Sequence, residues 1–157
     1  MAERTPPTVF VDADACPVKS EVYRVTARHG VPVKVVANTW MRTPLDARIE
    51  LVVVQGDLDA ADDWIAERVA AHDVVVTADI PLAGRCLEKH AFVLGPTGRA
   101  FHDDMIGDAL ATRELLSQMR EAGVATGGPP PFGKQDRSRF LQRLEEMVRR
   151  AVRARGV

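Results

Sequence analysis

Short apolar runs recur along this chain with helix-like segments between most of them, and this alternation constrains the fold more than any other feature. Each run is about the length of a buried strand and is bounded by polar or turn-forming residues. Strands that alternate with helical segments are typical of a parallel sheet, so we predict an α/β fold with a mostly parallel sheet of about five strands. The predicted strands are Thr8–Val11, Val31–Ala37, Ile49–Gln55, Val74–Thr77 and Phe92–Leu94.

Prolines, glycines and acids predict where the helices begin and end. Pro17 and Pro81 suit the first turn of a helix, where no backbone N–H is needed. Gly30 suits the position that follows a last helical turn, where a left-handed backbone is common. The predicted helices are Pro17–His29, Asp59–His72, Pro81–His90, Asp103–Ala122 and Asp136–Arg155.

Length, charge and cysteine content limit the classes of function. With 157 residues, the chain suits one domain, over residues 1–157, with a substantial core. The formal net charge is −1, so an anionic partner must meet a local basic patch. No signal-peptide stretch or membrane-length apolar run is present, and two cysteines make neither a disulfide framework nor a zinc site. We therefore expect a reduced, cytoplasmic protein with no membrane partner.

The C-terminal part of the chain departs from the strand–helix pattern. Residues 126–133 are rich in glycine and proline and cannot form a helix or a central strand. The helix predicted after them has Asp136 as its N-cap, and it is richer in basic than in acidic residues. It is either a solvated amphipathic helix or a surface that faces phosphates. Its apolar stripe is Phe140, Leu141, Leu144, Met147, Val148 and Val152.

Acidic side chains follow several of the predicted strands. In a parallel sheet the carboxyl ends of the strands lie at one edge, which is where ligands bind. Acids that are far apart in sequence should therefore converge there. They are Asp12 and Asp14 after the first strand, Asp57, Asp59, Asp62 and Asp63 after the third, and Asp79 after the fourth, while Asn38 follows the second.

Converging carboxylates repel one another, and this repulsion indicates a metal site. Two carboxylates ~5 Å apart repel by roughly 3 kcal/mol at an effective dielectric constant near 20. Several of them together must gain protons or bind cations, and oxygen ligands suit Mg²⁺ or Mn²⁺. The alternative is that the acids cap helices. We favour capping for Asp57, Asp59 and Asp63 taken singly, and a site for Asp12, Asp14 and Asp79 together.

The cysteines and tryptophans are better explained by packing than by chemistry. Cys16 would lie at a helix N-terminus, which lowers a thiol pKa, but the flanking Asp14 raises it. We therefore predict that Cys16 and Cys86 are structural. Trp40 and Trp64 are predicted to pack in the interior rather than to stack on nucleic-acid bases.

Four motifs stand out along the chain: Asp12-Ala-Asp-Ala-Cys-Pro17, Thr77-Ala-Asp-Ile-Pro-Leu-Ala83, Thr126-Gly-Gly-Pro129, and Asp136-Arg137 with Phe140. Together they resemble the motifs of the YaiI/YqxD family of uncharacterised bacterial proteins, and the resemblance runs nearly end to end. The family in turn resembles PIN-like domains, which implies a three-layer α/β/α fold and metal-dependent cleavage of RNA.

The PIN-like resemblance implies a role for particular acids. Asp12 or Asp14 would be the acid after the first strand, and Asp79 the acid after the fourth. The helical acid would be Asp62 or Asp59. PIN nucleases commonly carry a further acid soon after the fourth-strand aspartate, and residues 80–85 have none.

The leading hypothesis is a Mg²⁺- or Mn²⁺-dependent ribonuclease with RNA as its partner. Its catalytic residues would be Asp12, Asp14 and Asp79, and the same three acids with Asp62 would hold the metal. Positively charged side chains would contact the phosphates. The candidates are Lys19, Arg113 and Arg137.

Two alternatives belong to other classes. One is a non-catalytic RNA- or protein-binding module that has the fold without the chemistry. The other is a phosphatase of the haloacid-dehalogenase type, since Asp12 and Asp14 end a first strand with one residue between them. That class expects Thr or Val where this chain has Cys16, so we rank it third.

Overall fold

A computed structural model describes residues 5–14, 16–57, 59–102 and 132–157 of the chain. The predicted α/β class is confirmed. The predicted helix Asp103–Ala122 and most of the glycine- and proline-rich segment lie outside the described residues. The elements are β1 (Val9–Asp12), α1 (Lys19–His29), β2 (Val33–Ala37), β3 (Ile49–Val53), α2 (Ala60–Arg68), β4 (Val74–Val76), α3 (Ile80–Glu88), β5 (Phe92–Leu94), β6 (Ala100–Phe101) and a C-terminal helix (Lys134–Arg155).

The strands form one sheet in the order β3-β2-β1-β4-β5-β6. Strands β1 to β5 pair in parallel, and β6 runs antiparallel to β5. β1 lies in the middle, where Val9 is in register with Val33 of β2 and Val74 of β4. The sixth strand was not predicted, because two residues are too few to show an alternating pattern.

Helices cover both faces of the sheet, which gives the three-layer α/β/α arrangement. Successive side chains of a strand point to opposite faces, and β1 follows this rule. Val9 and Val11 pack with α1 and the C-terminal helix, whereas Phe10 packs with α2 and α3. The sheet is therefore buried on both sides, as parallel sheets usually are.

The C-terminal helix uses its predicted apolar stripe to cover one face of the sheet. Its buried residues are Phe140, Leu144, Met147, Val148 and Ala151, and Leu141 and Val152 are partly buried beside them. The prediction of Asp136 as the N-cap was wrong. Gly133 is the N-cap, and its backbone N–H donates to the Asp136 carboxylate at 2.9 Å. The acid thus satisfies the helix end from its third position, as in a capping box.

The other predicted helix ends are confirmed in part. Gly30 ends α1 with a left-handed backbone (φ 64°), and Pro81 lies in the first turn of α3. Pro17 instead lies in a turn before α1, which begins at Lys19. α2 ends at Arg68, earlier than predicted, because Val69 adopts extended backbone. In the described residues, no helix is both long and apolar enough to cross a membrane.

Gly98 should be intolerant of a side chain, because it lies against the backbone of the C-terminal helix. Its φ is +89°, and a Cβ atom would lie 2.7 Å from Arg139 Cγ and 2.9 Å from the Phe140 backbone nitrogen. We predict that Gly98→Ala lowers the free energy of unfolding by at least about 2 kcal/mol, measured by urea denaturation.

Gly133→Ala is the matched control, since an added Cβ atom there meets nothing within 4 Å. Its loss should stay below about 1 kcal/mol, the usual cost of alanine at an N-cap. Equal losses for the two variants would contradict the close packing of Gly98 on the helix.

Candidate functional site

The carboxyl ends of β1 and β4 form the point where the strand order of the sheet reverses. β2 lies on one side of β1 and β4 on the other, so the connections leave these two strands in opposite directions. Ligands bind in the crevice at such a point in open α/β sheets. Asp12 is the last residue of β1, and Asp79 follows β4 as the N-cap of α3.

Thr77 links the two acids. Its hydroxyl donates to Asp12 Oδ2 at 2.8 Å and accepts from the backbone N–H of Asp79 at 3.0 Å. The Asp79 carboxylate in turn accepts from the backbone N–H of Leu82 at 2.8 Å. This continuous set of hydrogen bonds fixes both side chains relative to the ends of β1 and β4. Each carboxylate has one oxygen in these bonds.

Asp14 lies on the opposite side of Asp12, toward β2. Its carboxylate accepts from the backbone N–H of Asn38 at 2.9 Å and 3.2 Å. The side-chain Oδ1 of Asn38 is buried and has no hydrogen-bond partner in the described residues. A buried amide oxygen without a partner is uncommon in folded proteins and is free to bind a cation or a water molecule.

Asp62 lies in the first turn of α2, and α2 and α3 cover the same face of the sheet. A cavity of about 310 Å³ lies between the two helices, and both Asp62 and Asp79 line it. Arg85 stands at this cavity and forms an ion pair with Asp63 at 2.7 Å. The remaining lining residues are Asp59, Pro81 and Leu82.

Burial and mutual repulsion raise the pKa values of two of these carboxyls. Burial raises the pKa of Asp12 above its ordinary 3.8, the Thr77 hydrogen bond opposes this, and the charges of Asp79 and Asp14 add to it. The pKa of Asp62 is raised to about 6, mainly by burial and then by the charges of Asp79 and Asp12. The acids therefore interact electrostatically, as predicted from their positions after the strands.

The predicted acids do not form a ready-made cage for a metal. In the part of the chain that the structure describes, no group of three or more His, Cys, Asp or Glu side chains has metal-binding geometry. The assignments of Asp12, Asp14, Asp62 and Asp79 as ligands, and of Asp12, Asp14 and Asp79 as catalytic residues, remain predictions.

The acids expected to cap helices make different contacts, and the expectation is not met at Asp59. Asp57 accepts from the backbone N–H of Asp59 at 3.2 Å and so stabilises the turn before α2. Asp59 is the N-cap of α2, but its side chain makes no capping hydrogen bond. Asp79 does cap α3, so it combines a structural role with its place in the acidic site.

Of the three residues predicted to contact phosphate, two bond to groups of their own chain and one lies outside the described residues. Lys19 donates to the carbonyl oxygens of Cys16 at 3.1 Å and Ala13 at 3.4 Å, and so holds the turn after β1. Arg137 donates to the Pro17 carbonyl at 2.8 Å and pairs with Glu21 at 3.2 Å. Arg113 lies outside the described residues.

The cysteines are structural, as predicted. Burial raises the pKa of Cys16 above its ordinary value and that of Cys86 to about 12, so both stay as thiols near neutral pH. Trp64 packs against Phe10 with ring centroids 6.2 Å apart, which also agrees with the prediction.

Trp40 differs from the prediction, because 74% of it is exposed. It lies in the segment between β2 and β3.

Thr77 and Asn38 are the residues whose importance the sequence analysis missed. Thr77 lies inside a motif and Asn38 follows a predicted strand, but neither was predicted to have a role. A threonine two residues before Asp79 could have been found as a short hydrogen-bonding turn motif. Nothing local in the sequence shows that the same hydroxyl also bonds Asp12, 65 residues away.

Asp62 should make stability depend on pH. Its folded-state pKa of about 6 exceeds the ordinary 3.8, so the folded chain binds more protons than the unfolded chain in this window. Its contribution to the free energy of unfolding is therefore present below pH 3.8 and is lost as the pH rises through about 6. We predict that Asp62→Asn raises the melting temperature at pH 7.5 but not near pH 4.

Glu67→Gln on the same helix is the control, since this side chain is largely exposed. Its melting temperature should follow that of the wild type at both pH values. A constant difference between Asp62→Asn and the wild type across the range would contradict the raised pKa.

Substitutions at Asp79 distinguish the effect of its negative charge from the effect of its helix-capping hydrogen bond. Asparagine caps a helix as well as aspartate does, whereas alanine costs about 1 kcal/mol. Removing the charge also relieves the repulsion with Asp12 and Asp62. In denaturation without metal, we predict that Asp79→Asn is at least as stable as the wild type and that Asp79→Ala is less stable by about 1 kcal/mol. Equal destabilisation by both variants would indicate that the carboxylate charge stabilises the fold.

Comparison with known proteins places the chain in a family. The family model described as Uncharacterized BCR, YaiI/YqxD family, matches residues 10–150. A UPF0178 protein of Brucella ovis is 55% identical over 155 residues, which cover 97% of this chain and 96% of the relative. A UPF0178 protein of Rhodopseudomonas palustris strain HaA2 is 51% identical, with 99% of this chain and 94% of the relative covered. No solved structure matches. The chain belongs to the YaiI/YqxD family of uncharacterised bacterial proteins.

Proposed function

We propose that this protein is a nuclease that cleaves RNA with a bound divalent cation, and that its reaction centre lies at the carboxyl ends of β1 and β4. The observation that carries the proposal is the acidic crevice at the reversal of strand order, where Thr77 joins Asp12 to Asp79. Ligand sites of open α/β sheets lie at this position. Perturbed carboxyl pKa values in a crevice are also typical of functional sites.

The donor set fits Mg²⁺ or Mn²⁺. Mg²⁺ usually keeps several waters and takes only one or two carboxylates directly, so three preformed protein ligands are not required. Asp12, Asp14, Asp62 and Asp79 would hold the ion, directly or through its waters. The unpartnered Oδ1 of Asn38, beside Asp14, is a further oxygen donor of the right kind.

The residues of the chain would divide the work of the reaction. A bound divalent ion supplies activation of water and stabilisation of charge on the phosphate. Asp12 and Asp79 are fixed by hydrogen bonds to Thr77 and to the backbone of α3, so they would orient the reacting groups. Asp62 has a pKa of about 6 in the metal-free protein and would become ionised when the cation binds beside it.

The PIN-like resemblance belongs to this proposal and supports it. The three layers and the acids after β1 and β4 agree with that resemblance. The names of the relatives describe no activity, so the argument rests on the site. Lys19, Arg113 and Arg137 are proposed phosphate contacts, although Lys19 and Arg137 also bond to their own chain.

One observation favours the non-catalytic binding module as a second candidate. Asp12, Asp14 and Asp79 each accept a hydrogen bond that supports the local fold, so the acids have a structural role without any metal. In this case the protein would bind RNA or another protein through the same fold and would not need a divalent cation.

A cleavage assay tests the nuclease proposal. We predict that the wild-type protein cleaves labelled single-stranded RNA with Mn²⁺ or Mg²⁺, that EDTA stops cleavage, and that Asp12→Asn abolishes it. Glu88→Gln carries the same charge change on an exposed residue at the end of α3 and should retain full activity. Titration calorimetry with Mn²⁺ should show binding to the wild type and weaker binding to the Asp14→Asn, Asp79→Asn double variant.

Each way in which the nuclease proposal could fail gives a different experimental result. Equal cleavage by the wild type and Asp12→Asn would indicate a contaminating nuclease and contradict the proposal. Mn²⁺ binding that the double variant retains in full would place the metal elsewhere. RNA binding without cleavage by any variant would favour the binding module.

A further inference from the structure

A basic cleft lies on the opposite side of the sheet from Asp62, between the β5–β6 turn and the C-terminal helix. Its volume is about 500 Å³. Every charged or titratable side chain that lines it within the described residues is basic. The lining residues are Thr97, Gly98, Arg99, Ala100, His102, Arg139 and Arg143.

The charges in this cleft are only partly compensated. Arg139 lies 3.6 Å from Asp136 and donates to the Thr97 carbonyl at 3.4 Å, with half of its side chain exposed. Arg99 and Arg143 form no ion pair within the described residues, and both are exposed. Uncompensated arginines held close together favour a bound anion.

Other arginines of the C-terminal helix are engaged by carboxylates. Arg149 lies 3.3 Å from Glu145, and Arg155 lies 2.8 Å from the buried Asp73. Arg155 also donates to the Ala71 carbonyl at 2.8 Å. Arg155 therefore stabilises the contact of the helix with the rest of the fold, while Arg149 pairs with Glu145 within the helix. Unlike Arg99 and Arg143, both have a carboxylate partner.

Gly98 holds the two sides of the cleft together. A Cβ atom at this residue would overlap the backbone of Arg139 and Phe140, so the turn and the helix meet at backbone distance. This contact places Arg99, which follows Gly98, in the same cleft as Arg139 and Arg143.

The position of the cleft relates it to the acidic site. The β5–β6 turn leaves the same edge of the sheet as Asp12, and β5 lies two strands from β1, or about 10 Å at the usual strand spacing. Arg139 and Arg143 lie one helical turn apart, or about 6 Å along the axis. The cleft therefore opens at the same edge of the sheet as the acids, on the face that the C-terminal helix covers.

We infer that this cleft binds the sugar–phosphate backbone of a single-stranded nucleic acid, with Arg99 and Arg143 as its main phosphate contacts. The inference rests on the proposed function for the class of substrate. It assigns substrate binding to residues other than Lys19, Arg113 and Arg137. With a net charge of −1 for the whole chain, such a local group of cations is required to hold a polyanion.

Binding measured without metal tests this inference separately from catalysis. The probe is a fluorescein-labelled single-stranded RNA of about 12 nucleotides in EDTA, followed by anisotropy. Arg99→Gln with Arg143→Gln should raise Kd at least tenfold at about 100 mM salt. The slope of log K against log salt should fall by about 1.4, the value for two lost phosphate contacts with a single strand.

The matched control is Arg149→Gln with Arg153→Gln, which changes the charge equally on the same helix outside the cleft. Its Kd should change by less than about twofold. Both double variants should keep the wild-type melting temperature, because the altered side chains are exposed. Equal loss of affinity in both variants, or no salt-dependent binding by the wild type, would overturn the inference.

Two further outcomes distinguish RNA binding by the cleft from the nuclease proposal. A tenfold loss in the cleft variant when no protein cleaves RNA would support the cleft and count against the nuclease. Metal-dependent cleavage with an unchanged KM in the cleft variant would support the nuclease and overturn the cleft. DNA of the same sequence should lose affinity in parallel, since phosphate contacts carry no base information.

Discussion

The pairing of β1 with β2 on one side and β4 on the other is the constraint on which the rest of this structure depends. Val9 and Val11 are buried on one face of β1, and Phe10 is buried on the other. Val33 and Val74, the partners of Val9, are also buried, so packing on both faces sets the register of the central strands. A slip by one residue would exchange the side chains between the two faces. The same register brings Asp12 level with the residues that follow β4 and opens the crevice between them.

The crevice is acidic, and within the described residues its central acids Asp12, Asp14 and Asp79 form no salt bridge and are held by hydrogen bonds instead. Asp12 and Asp79 receive hydrogen bonds from Thr77 and from the backbone of α3, and Asp14 receives one from the backbone of Asn38. Hydrogen bonds to a carboxylate stabilise its charged form. At Asp12 and Asp62, burial and the nearby charges act in the opposite direction and raise the pKa, to about 6 for Asp62. The site therefore combines hydrogen bonds that hold its acids in place with burial and repulsion that disfavour the charged forms of Asp12 and Asp62.

The sequence was sufficient to predict the parallel sheet and the stripe of the C-terminal helix, because both are periodic patterns of buried residues. In the structure the residues of these patterns are buried, among them Val9 and Val11 of β1 and Phe140, Leu144 and Val148 of the helix. The position of Asp12 and Asp79 at one edge followed from the parallel arrangement alone. Helix ends were less accurate at Pro17 and Asp136, since neighbouring residues compete to satisfy the same backbone groups.

What the sequence could not show depends on contacts between distant segments. The hydrogen bond from Thr77 to Asp12 joins residues that are 65 apart, and no local pattern encodes it. The exposure of Trp40 reflects the absence of any covering element among the described residues, which its own hydrophobicity cannot reveal. β6 is a two-residue strand that exists only because β5 offers it an edge.

Although the net charge is only −1, the protein has one acidic and one basic surface, and the order of the strands separates them. The acids follow the central strands β1 and β4, whereas the basic cleft follows β5 and faces the C-terminal helix. Placed side by side in solution, such groups would neutralise each other through ion pairs. Here Asp12 is instead bonded to Thr77, and the turn held by Gly98 keeps the arginines in the outer cleft. The two sets of residues follow strands that are two positions apart in the sheet, so each surface keeps its own sign of charge. Under the proposed function, a polyanion would be attracted by one surface while the other would hold a cation.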